Sequence, residues 1–384
     1  MRLTSPGPTL GVVGGGQLGR MLAEAAGPLG VAVVVLDPTP DCPAATVARD
    51  QVVADFDDPD GVRELAERAD ALTFEIELAD PDLLAEAAAA ADVPVHPDPE
   101  TLRVIQDKLV QKRRLRERGI PVPEFREVDD AADLAAAVED LGAVMLKARE
   151  GGYDGRGNVP VDPGDDYDAK LDAIGDRPAM AEAFVDFERE LSVIGVRGTD
   201  EVRAFPVGEN VHREEILRTT VAPARASKAV RERARAVAGD VLDAMDGRGV
   251  YGIELFEHPD GAVSVNEIAP RPHNSGHWTI EGAVASQFEQ HVRAVLGWPL
   301  GAAQLRDPTV MVNVLGDVDE ARPAELSGVP DVLASPGAHL HWYGKREVRP
   351  LRKMGHVTLT PTGDEDVGAL LARGRDLRDG LSFR

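Results

Sequence analysis

The sequence predicts an α/β protein that opens on a parallel sheet, and three observations carry that expectation. Short apolar strands alternate with helical stretches across residues 9–96, the βαβ pattern of a parallel sheet. A glycine turn, Gly14-Gly15-Gly16-Gln17-Leu18-Gly19, joins the first strand to the first helix, where backbone amides face an anion. Further on, two alternating runs at 250–256 and 262–268 flank a turn and predict a β-hairpin.

The first strand, 9–13, leads into the glycine turn and a helix. Gly14, Gly16 and Gly19 match the G-x-G-x-x-G spacing, and Asp37 closes the next strand, 31–36, where a dinucleotide fold places its ribose-binding acid. On these residues alone a nicotinamide-dependent dehydrogenase is open, but such amides hold the phosphate of a mononucleotide equally well. A helix at 59–68, a strand at 71–74, a helix at 81–91 and a strand at 93–96 continue the alternation. Glu75 and Glu77 lie beyond the carboxyl end of strand 71–74, where such sheets bind ligands. Either could equally be a solvated acid.

A basic helix at 107–118 carries Lys108 and closes at Gly119 and Pro121. A new unit follows: strand 125–128, helix 129–141 and strand 143–147, which ends on Lys147. Gly151, Gly152, Gly155 and Gly157 then surround Tyr153, Asp154 and Arg156. That composition predicts a closing lid whose amides approach phosphates. Near 179–185 an apolar strand carries Glu182, with Glu190 further on. A segment between two lobes can offer its backbone to an adenine edge, and an acid past it can accept ribose hydroxyls. His212 reads equally as a surface histidine. A long charged helix is expected at 227–245.

Within the hairpin, Asp260-Gly261 read as a two-residue loop pairs Pro259 with Ala262 and sets Glu254 opposite Glu267. Side chains so paired share a face with Cβ atoms roughly 5 Å apart. Two like charges there need a cation between them, and Mg²⁺ or Mn²⁺ completed by nucleotide phosphates answers that need. A solvent-facing pair, or one neutralised by arginine, is the alternative. The segment 271–277, RPHNSGH, then supplies cationic and hydrogen-bonding groups. A packing helix is expected at 281–296 with Val284, Phe288, Val292 and Val295 inward. After a linker at 299–308 come strands at 310–315, 338–342 and 356–360 and a helix at 366–377. The segment 345–353, KREVRPLRK, is the densest basic cluster in the chain and reads as an anion clamp.

The 384 residues suit two or three domains, and 43% hydrophobic content is ample for packed cores. A net charge of −25 argues against a nucleic-acid or anionic-membrane partner and suggests a halophilic setting, in which salt screens self-repulsion. The single cysteine, Cys42, excludes an internal disulfide and fits a reducing cytoplasm. Neither a signal peptide nor a transmembrane helix is expected.

Together these blocks resemble the ATP-grasp superfamily and, within it, the N5-carboxyaminoimidazole ribonucleotide synthetase family. The resemblance is carried by GGGQLGRM at 14–21, TFEIE at 73–77, GGYDGRGN at 151–158, NEIAPRPHNSGHWT at 266–279 and HWYGKREVRPLRKMGH at 341–356. It spans essentially the whole chain. One departure is Leu351, where that family usually has glycine. The resemblance implies an ATP-grasp fold with an N-terminal Rossmann-like (pre-ATP-grasp) domain at 1–104. An ATP-grasp domain would follow at 105–300, with a lid lobe at about 122–186, and a small β-rich domain at 301–384. It also implies ATP-dependent carboxylation of 5-aminoimidazole ribonucleotide with bicarbonate via carboxyphosphate, in a cytoplasmic homodimer.

Carried over by motif, Lys108, Lys147, Gly152, Tyr153, Asp154, Gly155, Arg156, Gly157 and Asn158 would hold ATP. Glu182, Ala183, Phe184 and Val185 would contact adenine and Glu190 the ribose, with His212 nearby. Glu254 and Glu267 would bind the metal, assisted by Asn266. Gly16, Gln17, Leu18, Lys345 and Arg352 would hold the ribonucleotide phosphate, and Asn274 and Ser275 would line the same pocket. Glu75, Tyr153 and Arg156 would contact substrate and bicarbonate, while Asp154, Arg156, Arg271 and His273 would stand near the chemistry. The nearest alternative is a formate-dependent glycinamide ribonucleotide transformylase, which shares the Pro-Arg-Pro-His segment. HNSGHWT and TFEIE favour the carboxylase.

Overall fold

The computed structural model describes residues 4–151, 157–175 and 177–384. Its first sheet holds β1 (Thr9–Val13), β2 (Ala32–Leu36), β3 (Asp50–Val52) and β4 (Ala71–Phe74), all parallel, in the order β3-β2-β1-β4. Helices α1 (Gln17–Ala26), α2 (Pro59–Glu67) and α3 (Pro81–Ala91) make the crossovers. Helices cover both faces of such a sheet, so its inner strands are apolar without alternation. Asp58 and Asp80 cap α2 and α3 by accepting from first-turn amides. The strand expected at 93–96 is not formed. Val95 makes a single parallel bridge to Leu72, because Pro94 and Pro97 lack the N–H groups a ladder needs.

Two helices, α4 (Pro99–Gln106) and α5 (Lys108–Glu117), lead into a second, antiparallel sheet. It is built from β5 (Phe125–Val128), β6 (Val144–Ala148), β7 (Asn158–Val161) and β8 (Ala179–Ala183), in the order β5-β8-β6-β7. Helices α6 (Ala131–Leu141) and α7 (Tyr167–Ala173) pack on it around Leu134, Val144, Leu146 and Ala181.

The third sheet is the largest. It begins with β9 (Arg189–Arg197), β10 (Val202–Ala204), β11 (Gly208–Arg213) and β12 (Ile216–Ala222), none of which the sequence pattern announces. The hairpin, β13 (Gly249–Glu257) and β14 (Val263–Ala269), pairs through β13 with β9. Helix α8 (Lys228–Ala244) covers these strands with Val230, Ala234, Val241 and Leu242.

The helix expected at 281–296 is broken. A short α9 (Thr279–Gly282) ends, Ala283 bridges to Leu305, and Ser286 caps α10 (Gln287–Val295). Val284 is therefore 45% exposed, while Phe288, Val292 and Val295 pack against the first unit. Beyond it, β15 (Thr309–Leu315), β16 (Arg322–Pro323), β17 (Leu326–Ser327), α11 (Val329–Ala334), β18 (Ala338–Trp342), β19 (Glu347–Val348), β20 (Lys353–Leu359), α12 (Val367–Asp379) and β21 (Ser382–Phe383) complete the chain. Strands β15, β20 and β18 extend the large sheet, giving β14-β13-β9-β11-β12-β15-β20-β18 with β10 beside β9. Among the described residues no helix is long and apolar enough to cross a membrane.

Candidate active site

Glu254 and Glu267 are paired across β13 and β14, as expected, but the route differs. The loop has three residues: Gly261 N–H donates to His258 O at 2.8 Å, His258 N–H donates to Ala262 O at 2.9 Å, and Gly261 takes φ 79°. That is a type I turn with Pro259 leading and glycine in the left-handed position. The pairing is thereby shifted by one, with Phe256 opposite Ser264 and Leu255 opposite Val265. A bulge then leaves Asn266 without a cross-strand partner and restores Glu254 to Glu267.

Burial lifts the Glu254 carboxyl to about 7, with the charges of Glu267 and Glu190 adding and His212 and Lys353 opposing. Asn210 Nδ2 lies 3.5 Å from Glu254 Oε1. Among the described residues no group of three or more His, Cys, Asp or Glu converges on one point. Two facing carboxylates, one of them reluctant to ionise alone, fit a hard divalent cation whose other ligands come from phosphate and water.

His273 connects this pair to the first sheet. Its Nδ1 is 3.8 Å from Glu254 Oε1 and 2.8 Å from Ser275 Oγ, and Gln287 brackets its backbone with bonds of 2.9 and 2.7 Å. Burial, with Arg271 and Lys353 nearby, holds His273 well below the usual histidine range, so the ring is neutral. Arg271 is oriented by Glu77 at 2.8 Å and also acts on Glu75. Glu75 occupies the glycine turn, where Gly16 N–H donates to its Oε1 at 2.5 Å. A Cβ on Gly16 would lie 2.8 Å from that oxygen, so a side chain there would require the Glu75 carboxylate to shift. Burial raises the Glu75 carboxyl to about 7 against the Gly16 amide and Arg271, while Asp37 pushes it further and Lys345 opposes.

Asp37 is consumed by the same turn, accepting from Gly15 N–H at 2.9 Å and Thr39 N–H at 2.8 Å. An acid so committed is poorly placed to receive a dinucleotide ribose. The first turn of α1, Gln17 and Leu18, keeps the amides that a helix start leaves without intrahelical partners.

On the other side of the carboxylates, Lys147 Nζ meets Glu182 Oε1 at 2.5 Å, and Lys112 Nζ meets Glu182 Oε2 at 2.7 Å. Burial alone would raise Glu182, but the two ammonium groups outweigh it and bring its pKa to about 2. Beyond β8, Phe184 is exposed, and the segment continues to Glu190 on β9, whose carboxylate is bonded to His212 Nδ1. Burial opposes protonation of His212, but the bond to Glu190 and the charge of Glu254 prevail and raise its pKa. A cavity of about 630 Å³ near Thr9, Arg49 and Trp298, at the opposite end of β1, includes none of these residues.

The chain is similar to known proteins over nearly its whole length. Family models match it as a ribonucleotide synthetase preATP-grasp domain over residues 8–106, an ATP-grasp domain over 113–288, and a phosphoribosylaminoimidazole carboxylase C-terminal domain over 309–369. It is 45% identical over 360 residues to N5-carboxyaminoimidazole ribonucleotide synthase of Brucella melitensis, covering 92% of this chain and 96% of that protein. The chain belongs to the N5-carboxyaminoimidazole ribonucleotide synthase family. Among solved structures, carboxyaminoimidazole ribonucleotide synthase of Aspergillus clavatus complexed with ATP superposes with a TM-score of 0.89 at 39% identity, covering 97% of this chain and 98% of that one. The Aspergillus clavatus N5-carboxyaminoimidazole synthase in complex with ADP and 5-aminoimidazole ribonucleotide gives 0.89 at 38%, covering 98% and 100%. The fold is ATP-grasp with a preATP-grasp N-terminal domain and the family's C-terminal domain.

The remaining expected residues of this N5-carboxyaminoimidazole ribonucleotide synthase family member are placed as follows. Gly152, Tyr153, Asp154, Gly155 and Arg156 lie outside the described residues. Gly157 is a turn residue with φ 85° just before β7, and Asn158 opens that strand opposite Lys147, bonded to Glu215 at 3.3 Å. Lys108 opens α5, its N–H donating to Arg149 O at 2.9 Å. Asn274 is buried and pairs reciprocally with Asn313 on β15 at 2.6 and 3.2 Å, so its amide ties the segment after the hairpin to the large sheet.

Lys345 Nζ donates to Lys353 O at 2.7 Å, and Arg352 Nη1 to Glu347 O at 2.7 Å. Leu351, the departure from the family pattern, has φ 60°, the conformation that favours glycine. Lys112, Asn210 and Gln287 also line the site without being singled out by any motif, while Lys353, the last residue of the basic cluster 345–353, acts on Glu254 and His273. Asn210 carries the one signal available, an amide inside the otherwise unmarked strand β11.

Proposed function

We propose that this chain catalyses ATP-dependent carboxylation of 5-aminoimidazole ribonucleotide with bicarbonate, in purine biosynthesis. The supporting observation is the continuous series from Glu267 and Glu254 through His273 and Arg271 to Glu75 in the glycine turn. In this reading Glu254 and Glu267 bind a cation and the start of α1 binds a phosphate, at two ends of one site.

In this reading Lys147 and Lys108 neutralise ATP phosphates, the stretch past Glu182 receives adenine, and Glu190 with His212 receives the ribose. Glu254 and Glu267 would hold Mg²⁺ or Mn²⁺, which when bound neutralises charge on the nucleotide phosphates. The first turn of α1, with Lys345 and Arg352, holds the ribonucleotide phosphate. An oxygen of bicarbonate attacks the γ-phosphorus and ADP leaves. The resulting carboxyphosphate then gives its carboxyl group to the exocyclic amine as phosphate departs. Arg271 faces the carboxylate that develops, held in aim by Glu77. Glu75, raised to about 7, is the group matched to receive the amine proton, while His273, whose protonation burial opposes, stays a neutral hydrogen-bonding partner.

The test is ATP turnover with and without 5-aminoimidazole ribonucleotide and bicarbonate, alongside formate in place of bicarbonate. Turnover requiring both the ribonucleotide and bicarbonate supports the reading. Turnover supported by formate, or indifferent to the ribonucleotide, overturns it.

A further inference from the structure

Lys112 is 3% exposed, yet it belongs to a basic helix whose other cations mostly point outward. From α5 its ammonium reaches two different sheets: Glu182 Oε2 on β8 at 2.7 Å and Val265 O on β14 at 3.1 Å. Val265 is the residue immediately before the bulged Asn266. Glu182 meanwhile receives Lys147 on its other oxygen at 2.5 Å. Two ammonium groups on one carboxylate leave these three side chains a formal charge of +1, which burial and Lys147 oppose at Lys112 and which the nearby charge of Glu267 offsets only in part.

A positive charge only partly offset is costly in the interior. A single Lys147–Glu182 pair would have been neutral and self-contained. The second lysine makes sense where an anion arrives from outside, and Lys147, at 14% exposed, is the member that remains open to it.

We propose that Lys112 is a positioning residue for the nucleotide. By occupying the far side of Glu182 it leaves the charge of Lys147 available to phosphate. By holding Val265 O it fixes the bulge that turns Glu267 toward Glu254. One side chain thus couples the strand that leads to the adenine segment with the strand that carries a metal-binding carboxylate. This rests on the nucleotide site proposed above.

The experiment measures ADP affinity by calorimetry with and without Mg²⁺, and KM for ATP and for 5-aminoimidazole ribonucleotide, in the parent, K112M, E182Q and K112M/E182Q. K112M is expected to weaken ADP at least tenfold and to raise KM for ATP by a similar factor. The ribonucleotide KM should stay within twofold, and the Mg²⁺ concentration for half-maximal rate should rise. In K112M/E182Q nothing neutralises Lys147, so the loss of ADP affinity should be smaller than the sum of the two single losses. Additive losses, or unchanged ADP affinity in K112M, would overturn the proposal. Should K112M fail to fold, K112Q keeps a donor for Val265 O without the charge. A tenfold loss of ADP affinity there supports the proposal, and unchanged affinity refutes it. A parent enzyme whose ATP turnover ignores the ribonucleotide would refute the proposed function, while the ADP measurements would still judge Lys112.

Discussion

Glu75 should make the protein less stable as pH rises through neutrality, and Glu75→Gln should remove that dependence. The carboxyl is buried in the glycine turn and raised from 4.5 to about 7, mainly by burial and against the pull of Gly16 N–H and Arg271. An acid whose folded pKa lies above its unfolded value binds more protons folded than unfolded. Its contribution to stability is therefore whole below about 4.5 and is lost as pH climbs through about 7. At about 1.4 kcal/mol per pKa unit, the full loss is about 3 kcal/mol. For a chain of this length that corresponds to a melting shift of about 4 °C, of which about 3 °C falls between pH 5 and pH 8. Glutamine does not titrate, so the melting temperature of E75Q minus that of the parent should grow by about 3 °C over that interval. Any constant penalty of the substitution cancels in the comparison. Scanning calorimetry of the ligand-free protein at both pH values measures it. A difference that stays flat with pH would refute the reasoning, because it would mean that Glu75 titrates alike in the folded and unfolded chain.

Glu267→Gln removes one of two facing charges, so turnover should fall by at least about 100-fold while the melting temperature of the ligand-free protein stays level or rises. Unchanged turnover, measured at saturating Mg²⁺, would refute the metal assignment. Leu351 at φ 60° carries strain of about 1 kcal/mol, which glycine relieves at a comparable cost in backbone freedom. Leu351→Gly should therefore leave the melting temperature level or about 1 °C higher, and Leu351→Val should lower it. A loss with glycine would refute the strain. With a net charge of −25, melting should rise as KCl goes from dilute to molar; a flat profile would set aside the halophilic expectation.

The parts of the site that were legible in the sequence are those where local chemistry leaves one solution. A glycine turn between strand and helix, and acids following β4, could be read from residue type alone. The identity of what fills that turn could not, since Glu75 and Asp37 reach it only through the order of parallel strands. Strand β11, GENVHR, was invisible for a functional reason. Its Glu209 and Asn210 are buried, and His212 faces Glu190, so polar residues sit where a strand pattern expects apolar ones. Likewise nothing in KLVQKRRLRE marks the one lysine that turns inward, because its partners lie on two sheets formed later in the chain.

The hairpin is the most instructive case, since the right pairing followed from the wrong loop. A one-residue slip in register exchanges the faces of a strand. The three-residue turn at Pro259-Asp260-Gly261 supplies one such slip, and with it alone Glu254 would face Asn266 while Glu267 turned away. The bulge at Asn266 supplies a second, and two slips restore the face. Counting outward from a tight turn gives the same pairing because both irregularities lie between the turn and the acids. The bulge therefore does more than correct register. It leaves Asn266 without a cross-strand partner beside Glu267 and breaks the ladder at Val265, so the carbonyl there can accept from Lys112, which ties the placement of the proposed metal ligand Glu267 to the charge around Glu182 and Lys147.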